Sequence, residues 1–172
     1  MCIRDRSQTT ETENKITLDA SGNAAAGDQS TENKTAEPST LDELFGGENL
    51  SVTYTGAEIA ANYMEGGYYS LDAEQGKTFV IVGIDITNSG ADEIAIDNFA
   101  KTPKFSVMVN GQEKAEEENT ILPSDFALYQ ETVPAGVTEN TILLFQVPDS
   151  VTSVDSLDLF VNISGTNYQI TL

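Results

Sequence analysis

The chain of 172 residues has no histidine and only one cysteine, Cys2. Without histidine, Ser-His-Asp and Cys-His catalysis, imidazole acid–base chemistry and His-ligated zinc are excluded. A single cysteine permits no disulfide within the chain. There is no glycine-rich phosphate loop or dinucleotide fingerprint, and no apolar run approaches the roughly 18 residues that a membrane-spanning helix needs. The sequence therefore predicts no cofactor and no catalytic residue of these classes.

Basic residues are also scarce, since 8 Lys and Arg are outnumbered by 28 Asp and Glu, for a formal net charge of −20. Residues 49–172 hold 18 of those acids and four lysines, which gives this part a net charge of −14. A field of this sign disfavours nucleic-acid binding and adsorption to anionic lipid. Because the acids are dispersed, a solvated surface that keeps the protein in solution is the simpler interpretation.

Large apolar residues are nearly absent from residues 1–40, where Ile3, Ile16 and Leu18 are the only large aliphatics after Met1. Such a segment cannot bury enough surface to offset the entropy lost on ordering. Residues 7–40 are therefore predicted to be a disordered polar linker. A polar tail of this composition suits a domain that is held away from a cell surface.

The first six residues, MCIRDR, correspond to the translation of a transposon-end sequencing adapter. Residues 1–6 are therefore predicted to be an assembly artefact, with the natural chain starting further upstream. The missing part is expected to hold a signal peptide, a lipoprotein cysteine or a membrane anchor. Together with the linker, this predicts an extracellular or cell-surface anchored protein.

The strongest strand pattern is KTFVIVGIDITN, residues 77–88, which predicts a central strand with one face wholly in the core. Four aliphatic residues recur at every second position of it: Val80, Val82, Ile84 and Ile86. Further alternating segments predict strands within residues 49–57, 105–109, 141–147, 156–163 and 168–172.

Seven or eight such strands, with polar turns and no long helix, predict an all-β fold, an antiparallel β-sandwich over residues 49–172. Residues 41–48 are predicted to be a short helical turn or the end of the linker, with Ser39 or Thr40 as the N-cap. Two further expectations concern side-chain placement. Ile94, Ile96 and Phe99 are expected to point inward, whereas the acidic run in residues 112–119 is expected to lie in solvent.

Three tyrosines, Tyr63, Tyr68 and Tyr69, lie where the strand pattern weakens between residues 58 and 76. This stretch is predicted to be a loop or irregular edge. Exposed tyrosines often anchor binding surfaces, so the three are candidate ligand-binding residues. The alternative is that they cover the open end of the sandwich.

Five residues at the end of the central strand and just after it carry the side-chain oxygens that Ca²⁺ prefers: Asn88, Asp92, Glu93, Asp97 and Asn98. Their spacing matches no EF-hand loop, because the DxDxDG order and the closing Glu are missing. Solvated turn residues are the alternative.

Paired carboxylates of the glycoside hydrolase type are the one enzyme chemistry that the composition permits. Apart from Asp85, no carboxylate stands in an apolar context expected to raise its pKa. Asp85 is expected to face solvent or to cap a neighbouring backbone group. The protein is therefore predicted not to be an enzyme.

Three motifs resemble a bacterial family of unknown function: GKTFVIVGIDITN at 76–88, FSVMVNGQ at 105–112 and VPAGVTENTILLFQVP at 133–148. In that family, immunoglobulin-like domains follow lipoprotein or membrane-anchored N-termini, and the fold is similar to mycobacterial immunoprotective extracellular antigens. The resemblance covers residues 49–172. It implies an immunoglobulin-like sandwich, an extracytoplasmic location and a binding role, and it implies no catalytic residues.

These observations predict a non-catalytic extracytoplasmic binding or interaction module tethered to the bacterial cell surface. The expected partner is a protein, peptide or glycan of the cell envelope, without nucleic acid, and with membrane contact only through a missing N-terminal anchor. A structural spacer without a ligand is the alternative, and a carboxylate-dependent glycoside hydrolase is the third hypothesis.

Overall fold

The computed structural model describes residues 36–172. The predicted artefact of residues 1–6 and residues 7–35 of the predicted linker lie outside this range. The described part contains twelve strands, one short α-helix and a 3-10 turn. The elements are β1 (Glu37–Ser39), α1 (Leu41–Phe45), β2 (Leu50–Ala60), β3 (Asn62–Glu65), β4 (Tyr69–Asp72), β5 (Lys77–Asn88), β6 (Ile94–Ala95), the 3-10 turn (Phe99–Lys101), β7 (Lys104–Val109), β8 (Glu113–Glu116), β9 (Thr132–Val133), β10 (Thr138–Pro148), β11 (Leu157–Ile163) and β12 (Thr166–Ile170).

Eight strands form the two main sheets, which confirms the predicted all-β sandwich. One sheet has five strands in the order β1-β12-β11-β7-β8, and the other has three in the order β10-β5-β2. The hairpin β3–β4 and the ribbon β6–β9 are separate two-stranded pairs. With β2, β5 and β10 on one side and β7, β11 and β12 on the other, the division resembles the immunoglobulin plan of A, B, E against C, F, G.

Strand β5 is the centre of the three-stranded sheet and pairs with β2 on one side and β10 on the other. Its bounds, Lys77–Asn88, are those predicted from the alternation. The four aliphatics of its inner face are 0% exposed: Val80, Val82, Ile84 and Ile86. The β-branched residues suit this position because they pack well on a pleated, buried surface.

The core fills the space between the sheets with alternating residues of both. Aromatic rings close it at one end, where Phe45 lies 5.0 Å from Phe126 and 5.8 Å from Phe105 between ring centroids. Each fully buried side chain of this size contributes on the order of 2 kcal/mol by leaving water. The remaining large members contributed by β7, β10 and β11 are Val107, Val109, Leu143, Phe145, Val147, Leu159 and Val161.

Helix α1 is part of the sandwich and not the end of a linker. Thr40 is its N-cap: its hydroxyl accepts from the Glu43 amide, and the Glu43 carboxylate accepts from the Thr40 amide. This capping box confirms the predicted helix start. The hydrogen bond from the Thr40 amide first, and then those from the Ser39 and Thr40 hydroxyls, lower the pKa of the Glu43 carboxyl. Leu41 and Phe45 are buried, so the helix covers one end of the core.

The prediction of a disordered linker up to residue 40 is wrong for its last residues. Residues Glu37–Ser39 form β1, which pairs in parallel with Tyr168–Ile170 of β12. Composition does not predict this strand, because β1 is stabilised by backbone hydrogen bonds to β12, which is distant in sequence. Pro38 is tolerated there because β1 is an edge strand, where a missing amide costs no ladder hydrogen bond.

Two side-chain expectations are also wrong. Phe99 is 57% exposed, since it begins the 3-10 turn, while Ile96 is buried and Ile94 is half-buried as expected. The acidic run does not lie wholly in solvent, because Glu113–Glu116 form β8 and pair with β7. Strand alternation buries Ala115 on the inner face, and the next inner position is Glu117.

Candidate functional site

The hairpin β3–β4 packs on the outer face of the three-stranded sheet. Residues 58–76, predicted to be a loop or irregular edge, thus contain the end of β2 and this hairpin. Its turn is made by Gly66 and Gly67, which have φ angles of 58° and 73°. Positive φ at two adjacent glycines matches the right-handed twist of a hairpin. Hydrophobic contacts join the hairpin to the sheet, and they involve Phe79, Ile81, Leu122, Leu144, Tyr63 and Leu71.

A groove of about 350 Å³ lies beside this hairpin on the same outer face. Gly83 of β5 lies at the floor of this groove. A side chain at position 83 would fill part of the groove, and its Cβ would collide with the Thr55 hydroxyl. Opposite, a bulge between Tyr54 and Gly56 shifts the register of β2, and Gly56 has a φ of 142°. The groove is lined by Thr55, Gly56, Ala57, Glu58, Tyr63, Ile81, Gly83 and Ile142.

The three predicted ligand-binding tyrosines all belong to the hairpin but lie in different environments. Tyr63 is half-buried, lines the groove and has its hydroxyl 3.4 Å from Ser124 Oγ. Ser124 Oγ in turn donates to Glu65 Oε2 at 2.6 Å. Tyr68, in the turn, is 93% exposed, and Tyr69 is 44% exposed.

The hairpin register sorts these side chains by face. Tyr63 pairs with Leu71, and Glu65 pairs with Tyr69, so all four lie on the face that turns toward the sheet. Met64 lies on the opposite face and is 65% exposed. The structure therefore brings Tyr63 and Tyr69 to one face of the hairpin and leaves Tyr68 at its tip.

A second cleft, of about 310 Å³, lies between β7, β8 and the chain that follows β8. Its wall is mixed, with apolar side chains and four charged or amide groups. The lining residues are Phe99, Thr102, Pro103, Lys104, Phe105, Glu116, Glu117, Asn119, Ala127 and Leu128. No residue of this cleft was a predicted site residue.

Glu117 is the carboxyl group with the most unusual surroundings in the second cleft. Its Oε1 is buried and has no hydrogen-bond partner among the described residues. Burial first, and then the charge of Asp125, raise the pKa of Glu117 to about 9. Sequence reasoning missed it because three consecutive glutamates resemble a solvated run. The available signal was the alternation from Ala115, which puts residue 117 on the inner face.

Asp125, beside Glu117, is 3% exposed and well supplied with donors. Its Oδ2 accepts from the amide and the hydroxyl of Thr120 at 3.0 and 2.7 Å, and its Oδ1 accepts from the Ala127 amide at 3.1 Å. These hydrogen bonds fold residues 120–127 around the carboxylate. Asp125 therefore holds the backbone of residues 120–127 in its turn. Its side chain is not among those that line the cleft.

Asp85, which was expected to face solvent or to cap a backbone group, lies half-buried on the outer face of β5. Its Oδ1 accepts from Asn140 Nδ2 at 2.6 Å, in a cross-strand pair with β10. It caps no backbone group. Burial raises the pKa of Glu117, so the expectation that no carboxylate apart from Asp85 stands in such surroundings is wrong.

The candidate calcium ligands that form side-chain hydrogen bonds in the structure bind backbone groups of the protein. The Asn88 amide donates to Asp92 O and Val133 O at 2.8 and 3.0 Å. The Asn98 amide donates to Phe126 O at 2.9 Å. Both asparagines are buried and are not the solvated turn residues of the alternative interpretation. Within residues 36–172, no three His, Cys, Asp or Glu side chains are grouped to hold a metal ion.

Comparisons with known proteins show a likeness at the level of the fold alone. No protein-family model and no curated protein matches the chain. An uncharacterised β-sandwich protein of Clostridium difficile 630 is similar at 18% identity and a TM-score of 0.45, covering 72% of this chain and 85% of its own. A conserved hypothetical protein of Bacillus anthracis has 11% identity and a TM-score of 0.40, over 73% and 89%.

A candidate lipoprotein of Bacillus subtilis strain 168 is similar at 11% identity and a TM-score of 0.37, covering 72% of this chain and 36% of its own. At these values the likeness supports no statement about function or location. None of the comparisons supports the similarity to mycobacterial antigens, which stays a prediction. In the part of the chain that the structure describes, no helix has the length and apolar character to cross a bilayer.

Proposed function

We propose that the protein is a non-catalytic binding module that works outside the cytoplasm on a bacterial surface. Its recognition surface is the hairpin β3–β4 together with the groove beside it. The observation that carries this proposal is the exposure of Tyr68, at 93%, and Met64, at 65%, on a hairpin whose other face borders the groove that Tyr63 lines. Single exposed apolar residues are ordinary, but Met64, Tyr68 and Tyr69 expose three large side chains on one small hairpin, which is typical of a recognition surface.

The chemistry of this surface suits a protein, peptide or glycan of the cell envelope. Tyrosine offers a large, flat contact area with a polar end and loses little side-chain entropy on binding. The groove adds an apolar floor, at Ile81 and Ile142, and one carboxylate, Glu58, at its wall. The net charge of −14 over residues 49–172 disfavours nucleic acid as a partner.

The proposed location rests on the polar composition of residues 7–40 and on the resemblance to surface-anchored bacterial proteins. The immunoglobulin-like strand order agrees with that resemblance. Sequencing the gene upstream of the codon for Met1 tests the location. A signal peptide or lipobox in frame supports it, whereas genomic DNA that encodes MCIRDR after a stop codon contradicts it.

Binding is tested by screening the protein against arrays of cell-envelope glycans and peptides. The double variant Tyr68→Ala plus Tyr69→Ala is expected to lose at least tenfold in affinity for any ligand found. Phe99→Ala is the matched control, because Phe99 is exposed but lines the other cleft. Equal loss in both variants, or no loss in the double variant, contradicts the proposed surface.

The spacer alternative predicts no ligand on the arrays and no partner in envelope extracts. The hydrolase hypothesis has no structural observation in its favour. Glu117 and Asp125 are neighbours, but Asp125 is 3% exposed and holds three hydrogen bonds, so it has no face for a substrate. Chromogenic glycosides at acid and neutral pH test that hypothesis directly.

A further inference from the structure

Residues 117–126 cross from one sheet to the other at the open edge of the sandwich, and we refer to them as the edge strap. The strap begins on the five-stranded sheet, where the Glu117 amide donates to Phe105 O at 3.1 Å. One residue later it reaches the three-stranded sheet, where the Glu118 amide donates to Leu144 O at 2.8 Å. The start of the strap therefore joins the two layers.

The far end of the strap is fixed to β10 as well. The Ile142 amide donates to Ser124 O at 2.8 Å, and the Phe126 amide donates to Ile142 O at 2.9 Å. Phe126 is 0% exposed and anchors this end in the core. Strand β10 pairs with β5 along its inner edge, so the strap occupies the backbone groups of its outer edge.

Between these ends, the half-buried Glu117, which lines the second cleft, and the buried Asp125 place two carboxyl groups beside each other. Asp125 accepts hydrogen bonds from Thr120 and Ala127. Glu117 Oε1 receives none. Two ionised carboxylates cannot donate to each other, and they repel, whereas one proton makes Glu117 a donor to Asp125.

We propose that this single proton keeps the strap closed, so that the strap is a pH-sensitive latch over the outer edge of β10. Loss of the proton places two negative charges in contact at the point where the strap joins the sheets. The stretch that opens is the first half of the strap, from Glu117 to Ile121, because the buried side chains of Leu122 and Phe126 hold the second half. An uncovered strand edge accepts another strand, so the open form offers β10 for pairing.

The charges around Glu117 fit this role. Asp125 lies beside it, and Lys104 of β7 and Glu116 of β8 line the same cleft. Burial and Asp125 hold the pKa of Glu117 near 9 in the closed form, against an ordinary value of 4.5. The closed form thus binds the proton more tightly than the open form. Its advantage is complete below pH 4.5 and is lost as the pH rises toward 9.

Between those limits, the equilibrium constant for opening rises about tenfold for each pH unit, because one proton is released per opening. The latch therefore responds across the neutral range, well below the pKa of the closed form. This inference does not rest on the proposed function, although the second half of the strap contacts the hairpin through Ser124, whose hydroxyl donates to Glu65 Oε2.

Amide hydrogen exchange of the full chain tests the latch between pH 5.5 and 8, with rates corrected for intrinsic exchange. The Glu118 amide reports opening of the strap, and the Ile84 amide, in the central strand, reports global unfolding. The protection factor of Glu118 is expected to fall about tenfold per pH unit and to lie well below that of Ile84. A flat profile, or protection equal to that of Ile84 at every pH, overturns the proposal.

Two variants make the assignment specific. Glu117→Gln keeps the shape and donates to Asp125 without a titrating proton, so the slope of Glu118 protection against pH is expected to vanish. Glu116→Gln, at the exposed rim of the cleft, is expected to keep the slope of the wild type. A slope that survives Glu117→Gln overturns the proposal, and the wild-type slope remains decisive even if that variant does not fold.

Discussion

Glu117 and Asp125 lie beside each other at the junction of the two sheets, where Asp125 accepts three hydrogen bonds and Glu117 Oε1 accepts none. Charged side chains at the edge of a sandwich usually lie in solvent, where a carboxylate is hydrated. Here burial forces one of two carboxyl groups to keep its proton at neutral pH. The pair links the stability of the fold to pH in a direction opposite to that of ordinary surface acids.

Glu117→Gln is expected to change how stability depends on pH. The folded pKa of Glu117 is raised from 4.5 to about 9, so its contribution is complete below pH 4.5 and is lost as the pH rises through about 9. Relative to Glu117→Gln, the wild type should lose on the order of 1 kcal/mol per pH unit between pH 5 and 8. Urea unfolding at several pH values measures this, and parallel pH profiles for the two proteins would falsify the assignment.

Asp125→Ala is expected to lower the free energy of unfolding by about 3 kcal/mol, since it leaves the donors of Thr120 and Ala127 without acceptors. Asp72→Ala is the control, because Asp72 is exposed and is expected to change stability by less than about 0.5 kcal/mol. Urea unfolding at pH 5 compares the two. Equal effects would show that the Asp125 hydrogen bonds do not organise the strap.

Gly83→Ala is expected to cost about 1 kcal/mol, because the new methyl group would force the exposed Thr55 hydroxyl out of its present rotamer. In a Thr55→Ala background the collision is absent, so the same change should cost much less. A double-mutant cycle by thermal unfolding gives the coupling. Additive effects would mean that Gly83 is not required by the Thr55 side chain.

Thr40→Ala is expected to destabilise the protein by about 1 kcal/mol through loss of the capping box with Glu43. Thr40→Ser keeps a hydroxyl acceptor and is expected to retain most of that energy. Because helix α1 carries the core residues Leu41 and Phe45, the loss should appear in global unfolding. An Ala variant as stable as the Ser variant would contradict this role.

The three tyrosines are expected to separate into two classes by stability. Tyr68→Ala and Tyr69→Ala should stay within about 0.5 kcal/mol of wild type, since these side chains are exposed. Tyr63→Ala should cost about 2 kcal/mol, because Tyr63 packs on the second hydrophobic cluster. Chemical denaturation of the single variants measures both. A strongly destabilising Tyr68→Ala would favour a structural role for the hairpin tip.

Strand periodicity predicted the sandwich because each core strand shows its buried face as apolar residues at alternate positions. Strand β5 shows its buried face as four aliphatics at every second position, and its bounds were predicted correctly. The capped start of α1 was equally local. Periodicity did not predict β1. This strand pairs with β12, about 130 residues later in the chain, and the pairing uses backbone groups that almost any residue supplies.

The predicted side-chain orientations were wrong where a local turn interrupts the strand alternation. Phe99 points outward because a 3-10 turn starts there, while Asn98, just before it, is buried and bonded to Phe126 O. Glu117 was missed because charge was given more weight than alternation. The hairpin β3–β4 was within reach, since Gly66-Gly67 between two tyrosine-containing segments is a turn signal of the favoured type.

The protonation state of Glu117 is the most direct measure of the buried carboxyl pair. A ¹³C NMR titration of the glutamate side-chain carboxyls, with Glu117→Gln for assignment, follows it from pH 4 to 10. We expect one glutamate resonance, absent from the variant, to titrate far above 4.5 and near 9. A Glu117 carboxyl that is ionised by pH 5.5 would contradict the account.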